Sequence, residues 1–401
     1  MRNISLLKNT VQNYDWGSTK AIPQLLGIQN PAQEPMAELW MGAHPKAPSK
    51  VNFEGKWLPL TEIIRKNPQD VLGPEVARKF HNHLPYLFKV LAAAKPLSIQ
   101  AHPDLKLARA GFECENRQHI PLDAGNRNYR DDNHKPECIC ALTPFWAMCA
   151  FRDLAEIVSL MERICPVELK GEIARLKVEP DSRGLKRFFT SLMTMEAQHQ
   201  SRVINEALHN AHRRYAEAPE FEWMSRLSNG YPDDIGILSP LLLNLVHLAP
   251  GQALYLPAGE LHAYLEGTGI ELMANSDNVL RGGLTPKHVD VPELLKVLNF
   301  RPRQIEIQEA QKRGATEGRY QSFAEEFVLS VISISAGHFY EQSNLASVEI
   351  LLCTAGRASV EDGGNRQPLT IEKGDSIIIP AAANGYIIRG TAVFYKAAVP
   401  V

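Results

Sequence analysis

Pro250-Gly-Gln-Ala-Leu-Tyr-Leu-Pro257 and Lys373-Gly-Asp-Ser-Ile-Ile-Ile-Pro380 share one design: a glycine, a short apolar run and a closing proline at the same spacing. The apolar run has the length of a strand, glycine supplies a turn, and proline ends the ladder because it has no N–H to donate. Two such units in one chain mark an internal repeat of a β domain. Five residues beyond Pro257 stands His262, and five beyond Pro380 stands Gly385. The first copy keeps a residue able to ligate a metal; the second has lost it.

The flanking sequence carries the same texture. Phe327–Ile334, Val348–Cys353 and Ser376–Ile379 are alternating or β-branched runs, with a turn signal at Gly363-Gly364, and Leu241–Val246 is a short apolar run ahead of Pro250. In residues 1–150, runs such as Leu84–Leu91 and Pro96–Pro103 are bounded by Pro, Asn and Asp and read as strands and loops. Many short strands with regular turns argue for a sandwich or barrel, and the repeat has the pattern of a cupin jelly roll. Residues 152–230 differ. Asp153 followed by Glu156 is capping-box-like, and Leu154, Ile157, Val158, Met161 and Ile164 follow helical spacing. Leu185–Leu192, Val203–Ala211 and Phe221–Leu227 repeat it. The expected fold is mainly β with an α-helical insertion: two cupin-type jelly-roll domains plus a small helical domain. Residues 1–151 and 239–320 form the first β domain, 152–238 the helical insertion and 321–401 the second β domain.

A chain of 401 residues exceeds one domain of ~100–200 residues. Its 43 Lys+Arg against 45 Asp+Glu give a formal charge of −2 and no basic block, which excludes a generic nucleic-acid or anionic-membrane binder. No apolar run approaches a membrane span, and Lys8 interrupts the start too early for a signal-peptide core. Six sparse cysteines without a C-x-x-C pair read as reduced thiols of a cytoplasmic protein.

The chemistry centres on Ser98-Ile-Gln-Ala-His102. On a strand Ser98, Gln100 and His102 share one face, and Leu97, Ile99 and Ala101 the other. A barrel would aim the polar face inward, where unpaired groups are costly and a metal would satisfy them. In His134-Lys-Pro-Glu137, Lys135 and Glu137 share a face; His262 and Tyr264 do the same after Pro257. Gln100, His102, Glu137 and His262 make a four-donor N/O set suited to zinc. Spacing alone does not gather it, because a lone histidine is usually structural and Glu137 and His262 lie far apart in sequence. Glu271 falls on a strand-like stretch before the polar turn Asn275–Asn278. Arg281-Gly-Gly-Leu-Thr-Pro-Lys287 then places two cations around a flexible Gly-Gly segment, suited to phosphate or an oxyanion, although a solvated loop has the same composition. Glu38 and Trp40, in Met36–Pro45, are either core residues or part of a sugar-binding wall.

Taken together, Gln12–Gly17, Met36–Pro45, Pro96–Pro103, Asp132–Glu137, Leu241–Leu245 and above all Glu271–Lys287 resemble the type I phosphomannose isomerases. The resemblance implies a zinc enzyme, one ion per chain, that interconverts mannose 6-phosphate and fructose 6-phosphate. It implies metal ligands at Gln100, His102, Glu137 and His262 and a catalytic role for Arg281. Lys135, Tyr264, Glu271, Asp277 and Lys287 match pocket positions, as do Trp16, Glu38, Lys89 and Ser98. It also implies a monomer acting on a small sugar phosphate and a metal-free second β domain.

Aldose–ketose exchange by a cis-enediol needs a base, a shuttle for hydroxyl protons, and positive charge beside the enediolate. Glu271 is the favoured proton carrier with Lys135 assisting, and His134 is a third option. Lys287, with Lys89, would hold the phosphate. Two other classes share the fold. An Fe(II) oxygenase uses His and carboxylate ligands, but a Gln donor and a phosphate-suited loop point away from it. A non-catalytic sugar-binding cupin has no need of Glu271, Lys135 and Arg281 together.

Overall fold

The computed structural model describes residues 1–363 and 367–401; Gly364 of the Gly363-Gly364 turn signal lies outside them. Two antiparallel sheet systems dominate, with helices gathered between Leu154 and Leu242. The first system follows the order Leu243–Leu248, Phe145–Phe151, His262–Ala274, Tyr86–Ala93, Glu38–Gly42 and Thr10–Gln12. Glu137–Ala141 pairs with both Ala253–Leu256 and His262–Ala274, and Ile99–Ala101 pairs with Leu280–Gly283 and His262.

His262–Ala274 organises this barrel. Its first half pairs with Phe145–Phe151, and its second half is flanked by Tyr86–Ala93 and Glu137–Ala141. A register shift between Tyr264 and Glu266 lets one strand serve both walls. The pleat then sorts the side chains. Leu91, Ile139, Ala141 and Tyr264 pack inside, while Phe88, Val90, Cys138, Cys140, Ile270 and Leu272 face the second system. Those outward residues meet Leu329, Ile350, Leu352, Ile378, Tyr395 and Ala397 in one shared core, where each large apolar side chain gains roughly 1.5–3 kcal/mol by burial.

The second system holds Val328–Ile334, Tyr386–Ala398, Glu349–Asp362 and Ser376–Ile379, around an interior of Ile332, Leu351, Ile377, Ile388 and Phe394. Hydrogen bonding extends this sheet beyond the expected start at 321. Gln311–Arg313 and Glu317–Arg319 pair onto Val328–Ile334, and Ser5–Lys8 pairs with Ser376–Ile379 while also holding Lys50–Phe53. Strand pairing follows register and burial, which a texture boundary does not report.

The four expected helical stripes occupy Leu154–Ile164, Ser182–Met193, Ala197–His212 and Pro219–Gly230, and Asp153 caps the first by accepting from Ala155 N. Two helices of nine residues or more lie outside the expected stripes, Lys170–Val178 within the insertion and Leu105–Arg117 in the first β domain. Leu105–Arg117 is capped by Asp104, yet among its residues only Ala108 and Glu115 are buried, so it has no apolar stripe to read. Gly282 and Gly283 also differ from expectation. They close a strand, and a Cβ on Gly282 would lie 3.0 Å from Leu261 Cδ1, so these glycines serve close packing rather than flexibility. Leu97 departs from the face of Ile99 and Ala101 and packs toward the first barrel's interior.

Candidate metal centre and active site

Gln100, His102, Glu137 and His262 come from three different strands and the residue following one of them, and the barrel brings them together. His262 and Gln100 are direct cross-strand partners. The Gln100 amide nitrogen stands 3.4 Å from His262 Nε2. Glu137 Oε1 is 3.3 Å from His102 Nε2, and Glu137 Oε2 is 3.4 Å from His262 Nε2. The His102, Glu137 and His262 donor atoms all lie within 4.8 Å of one another, and all three residues are buried.

The ring orientations decide what these atoms offer. His102 Nδ1 lies 2.7 Å from the Asn278 carbonyl, and His262 Nδ1 lies 2.9 Å from the Glu260 carbonyl. A carbonyl only accepts, so each Nδ1 carries the proton and each Nε2 presents a bare lone pair to Glu137. His102 Nε2 is buried without a hydrogen-bond partner. Burial and Lys135 push the His102 pKa down to about 4, so its imidazole is neutral at physiological pH. Lone pairs converging on a carboxylate are mutually unfavourable unless a cation sits among them, and two neutral imidazoles with a carboxylate and an amide are a donor set zinc accepts. The residues present fit the metal.

Above this floor opens a cavity of about 610 Å³ lined by Trp16, Glu38, Lys89, Ser98, Gln100, Lys135, Glu137, Tyr264, Glu271, Asp277, Arg281 and Lys287 among others. Lys135 Nζ is 2.9 Å from Glu137 Oε1. Burial alone would raise the Glu137 pKa, but the Lys135 ammonium is the largest opposing influence and the carboxyl is held well below its usual range. Tyr264 donates to Glu137 Oε2 at 3.4 Å. Lys89 donates to Glu271 at 2.8 Å and to Glu38 at 3.4 Å, and Trp40 Nε1 donates to the other Glu38 oxygen at 2.7 Å. The Glu271 pKa is raised, mainly by burial and further by Glu137 and Glu38, against the pull of Lys89. Asp277 is tied to Lys46 Nζ at 2.8 Å and His44 Nε2 at 3.5 Å, which hold it low against its burial.

Arg281 is the cross-strand partner of Gln100, which sets it beside the metal donors. Burial and Arg130 both lower its pKa, and burial, Arg281 and Arg130 lower that of Lys287. Among the described residues, no carboxylate forms an ion pair with Arg130, Arg281 or Lys287. Such a cationic cluster is available to an anion.

His134 behaves differently from its neighbour Lys135. Its Nε2 is 2.7 Å from Glu326 Oε1, and it is absent from the cavity lining. Sequence reasoning missed the residues that shape the site from behind. Asn278 is fully buried, accepts from Arg130 N at 2.7 Å and donates to the carbonyls of Asp131 and Asn133. Asp131 accepts from Ser276 Oγ and Asp277 N, each at 2.7 Å. The density of Asp, Asn and Ser in 130–133 and 275–278 was the available signal, since such side chains readily bond nearby backbone. Arg130 was not singled out either.

The family model for the type I phosphomannose isomerase catalytic domain matches residues 4–154, and that for the family's helical insertion domain matches residues 167–243. The mannose-6-phosphate isomerase of Salmonella typhimurium is 42% identical over 389 residues, covering 96% of this chain and 97% of the relative. The chain belongs to the type I phosphomannose isomerase family. The human family member is 32% identical over 403 residues, covering 94% of this chain and 93% of its own. A solved phosphomannose isomerase variant from Salmonella typhimurium superposes with a TM-score of 0.93 at 40% identity, covering 99% of this chain and all of that one. A zinc-bound mannose 6-phosphate isomerase structure gives a TM-score of 0.91 at 40% identity and 99% coverage of this chain. The cupin-type fold with its helical insertion is thus the fold of the family.

Proposed function

We propose that this protein is a zinc-dependent aldose–ketose isomerase that interconverts mannose 6-phosphate and fructose 6-phosphate by proton transfer through a cis-enediol. The observation that carries this reading is the convergence of two unprotonated imidazole nitrogens and a carboxylate in a cavity also lined by Arg281 and Lys287, cations without an ion pair among the described residues. Gln100, His102, Glu137 and His262 would hold one zinc ion. Bound zinc would supply Lewis-acid charge beside the sugar oxygens.

The remaining roles follow from position. Arg281, beside Gln100, stabilises negative charge developing on the enediolate. Glu271 carries the proton between the two carbons, since its raised pKa favours a carboxylate able to take up and release one. Lys135 assists as the hydroxyl-proton shuttle. The Glu326 contact and the position of His134 off the cavity favour these two over His134. Lys287 is the better phosphate partner than Lys89, whose ammonium is already engaged by Glu271 and Glu38. Trp16, Glu38, Ser98, Tyr264 and Asp277 form the substrate wall.

The proposed division of labour is a catalytic domain of residues 1–151 and 239–320, a helical insertion of 152–238 and a metal-free C-terminal domain of 321–401, whose sheet recruits strands from the first. The six cysteines are free thiols, which supports a cytoplasmic setting. No helix among the described residues is long and apolar enough to cross a membrane. A monomer without a nucleic-acid partner completes the reading. An assay that couples fructose 6-phosphate formation to a second enzyme tests the activity; absence of turnover with mannose 6-phosphate would refute it. Run in deuterated water, the fructose 6-phosphate formed should carry solvent label at C1, whereas complete retention would replace the enediol with a hydride shift.

A further inference from the structure

We propose that Asp234, at the end of the helical insertion, is a positioning residue for the phosphate-binding end of the cavity; the inference rests on the isomerase reading above. Asp234 forms no ion pair among the described residues. Its carboxylate instead joins two segments: Oδ1 accepts from Gly236 N at 2.7 Å, and Oδ2 accepts from Thr285 N at 3.1 Å. Thr285 lies between Arg281 and Lys287, so the insertion grips the loop that carries both cations.

The grip is tight and the loop is strained. A Cβ on Gly283 would lie 3.0 Å from Asp234 Oδ1 and 3.2 Å from Gly236 Cα, so Gly283 packs directly against the Asp234 carboxylate and the Gly236 backbone. Leu284, fully buried, adopts φ +51, a left-handed conformation that a branched-chain residue holds only when its surroundings force it. Asp234 supplies part of that restraint through its bond to Thr285 N, the residue after Leu284. A second tie runs from the same turn: Asp234 N bonds Tyr231 O at 3.2 Å, and Tyr231, which lines the cavity, donates to Pro96 O at 3.1 Å. Releasing Asp234 frees Thr285–Lys287 to relax, which displaces the Lys287 ammonium from the phosphate and leaves the reacting carbons in place.

The sign of the effect separates positioning from simple electrostatics. Removing a negative charge from the segment that holds the cationic loop would by itself tighten anion binding, if it acted at all. Loss of the loop restraint does the opposite. With the zinc-loaded full-length protein, Asp234→Asn and Asp234→Ala should raise KM for mannose 6-phosphate and the calorimetric Kd of inorganic phosphate together, by about five- to tenfold. kcat should change by less than about twofold, because uniform binding is what is lost. Amide exchange at 283–287 should quicken, and in a Lys287→Ala background Asp234→Asn should add little. Unchanged or tightened phosphate binding, or a fall in kcat at constant KM, would overturn the proposal. If the wild-type protein binds phosphate but does not isomerise the sugar, the isomerase reading fails while the phosphate and exchange measurements still decide the role of Asp234.

Discussion

Both barrels bury an ammonium between two glutamates, yet among the described residues only the first gathers a metal-type donor group beside it. In the first, Lys89 stands 2.8 Å from Glu271 and 3.4 Å from Glu38. In the second, Lys396 stands 3.0 Å from Glu317 and 3.5 Å from Glu349. The surroundings differ. Lys396 donates to Tyr340 Oη at 2.7 Å and Tyr386 donates to Glu349 at 2.6 Å, so tyrosines fill the space around the charges. In the first barrel that space is open cavity, and His102, His262 and Glu137 add donors that no internal cation fully satisfies. The absence of a histidine at the repeat position of the second copy reaches the backbone. Gly385, at the repeat position of His262, has φ +81, and a Cβ there would lie 2.6 Å from Gln342 O. A histidine has no place at that point. The same polar core can therefore serve catalysis or stability, depending on whether it is left open or packed shut.

The largest expected effect lies in the open barrel. Glu137→Ala should remove zinc and cost at least about a thousandfold in turnover, read by metal analysis beside the coupled assay; retained zinc would break the contrast between the barrels. In the closed barrel, Lys396→Met should leave turnover of the folded protein intact but destabilise it by about 3–5 kcal/mol, because two buried carboxylates lose their cation. The pH dependence has a definite sign. Burial already raises the Glu349 pKa and Lys396 opposes that rise; Glu317 is held low by Lys396 against burial. Without the ammonium both carboxyls sit above their unfolded values, a cost felt above the folded pKa and relieved as pH falls through it. The deficit of Lys396→Met in chemical denaturation should thus be greater at about pH 8 than at about pH 5. A pH-independent deficit would mean the carboxylates are not in contact with the lysine. Arg281→Lys sharpens the comparison within the open barrel: about a hundredfold lower kcat, with zinc content unchanged, since a point charge does not replace the planar fork.

Much of this arrangement was legible in residues that obey a period. The Gly-to-Pro repeat announced the strands Ala253–Leu256 and Ser376–Ile379, and the helical stripes of the insertion stood out because their buried faces are apolar. The metal donors were readable as types on strand faces, but their meeting depends on the register of His262 with Gln100 and on a bend at Tyr264, which no local pattern encodes. The helix Leu105–Arg117 was invisible for want of an apolar face. Asn278 and Asp131 act through backbone bonds to a neighbouring loop, so their roles appear only when the chain is folded. The sheet pairing of Ser5–Lys8 with Ser376–Ile379 crosses nearly the whole chain and leaves no trace in either segment alone.

The claim that His102, Glu137, His262 and Gln100 grip a catalytic zinc is tested most directly by metal content and turnover measured on the same sample before and after exhaustive chelation. One zinc per chain, activity lost with the metal and restored by stoichiometric zinc, is the expected result. Full turnover of mannose 6-phosphate by protein shown to be free of metal would contradict it.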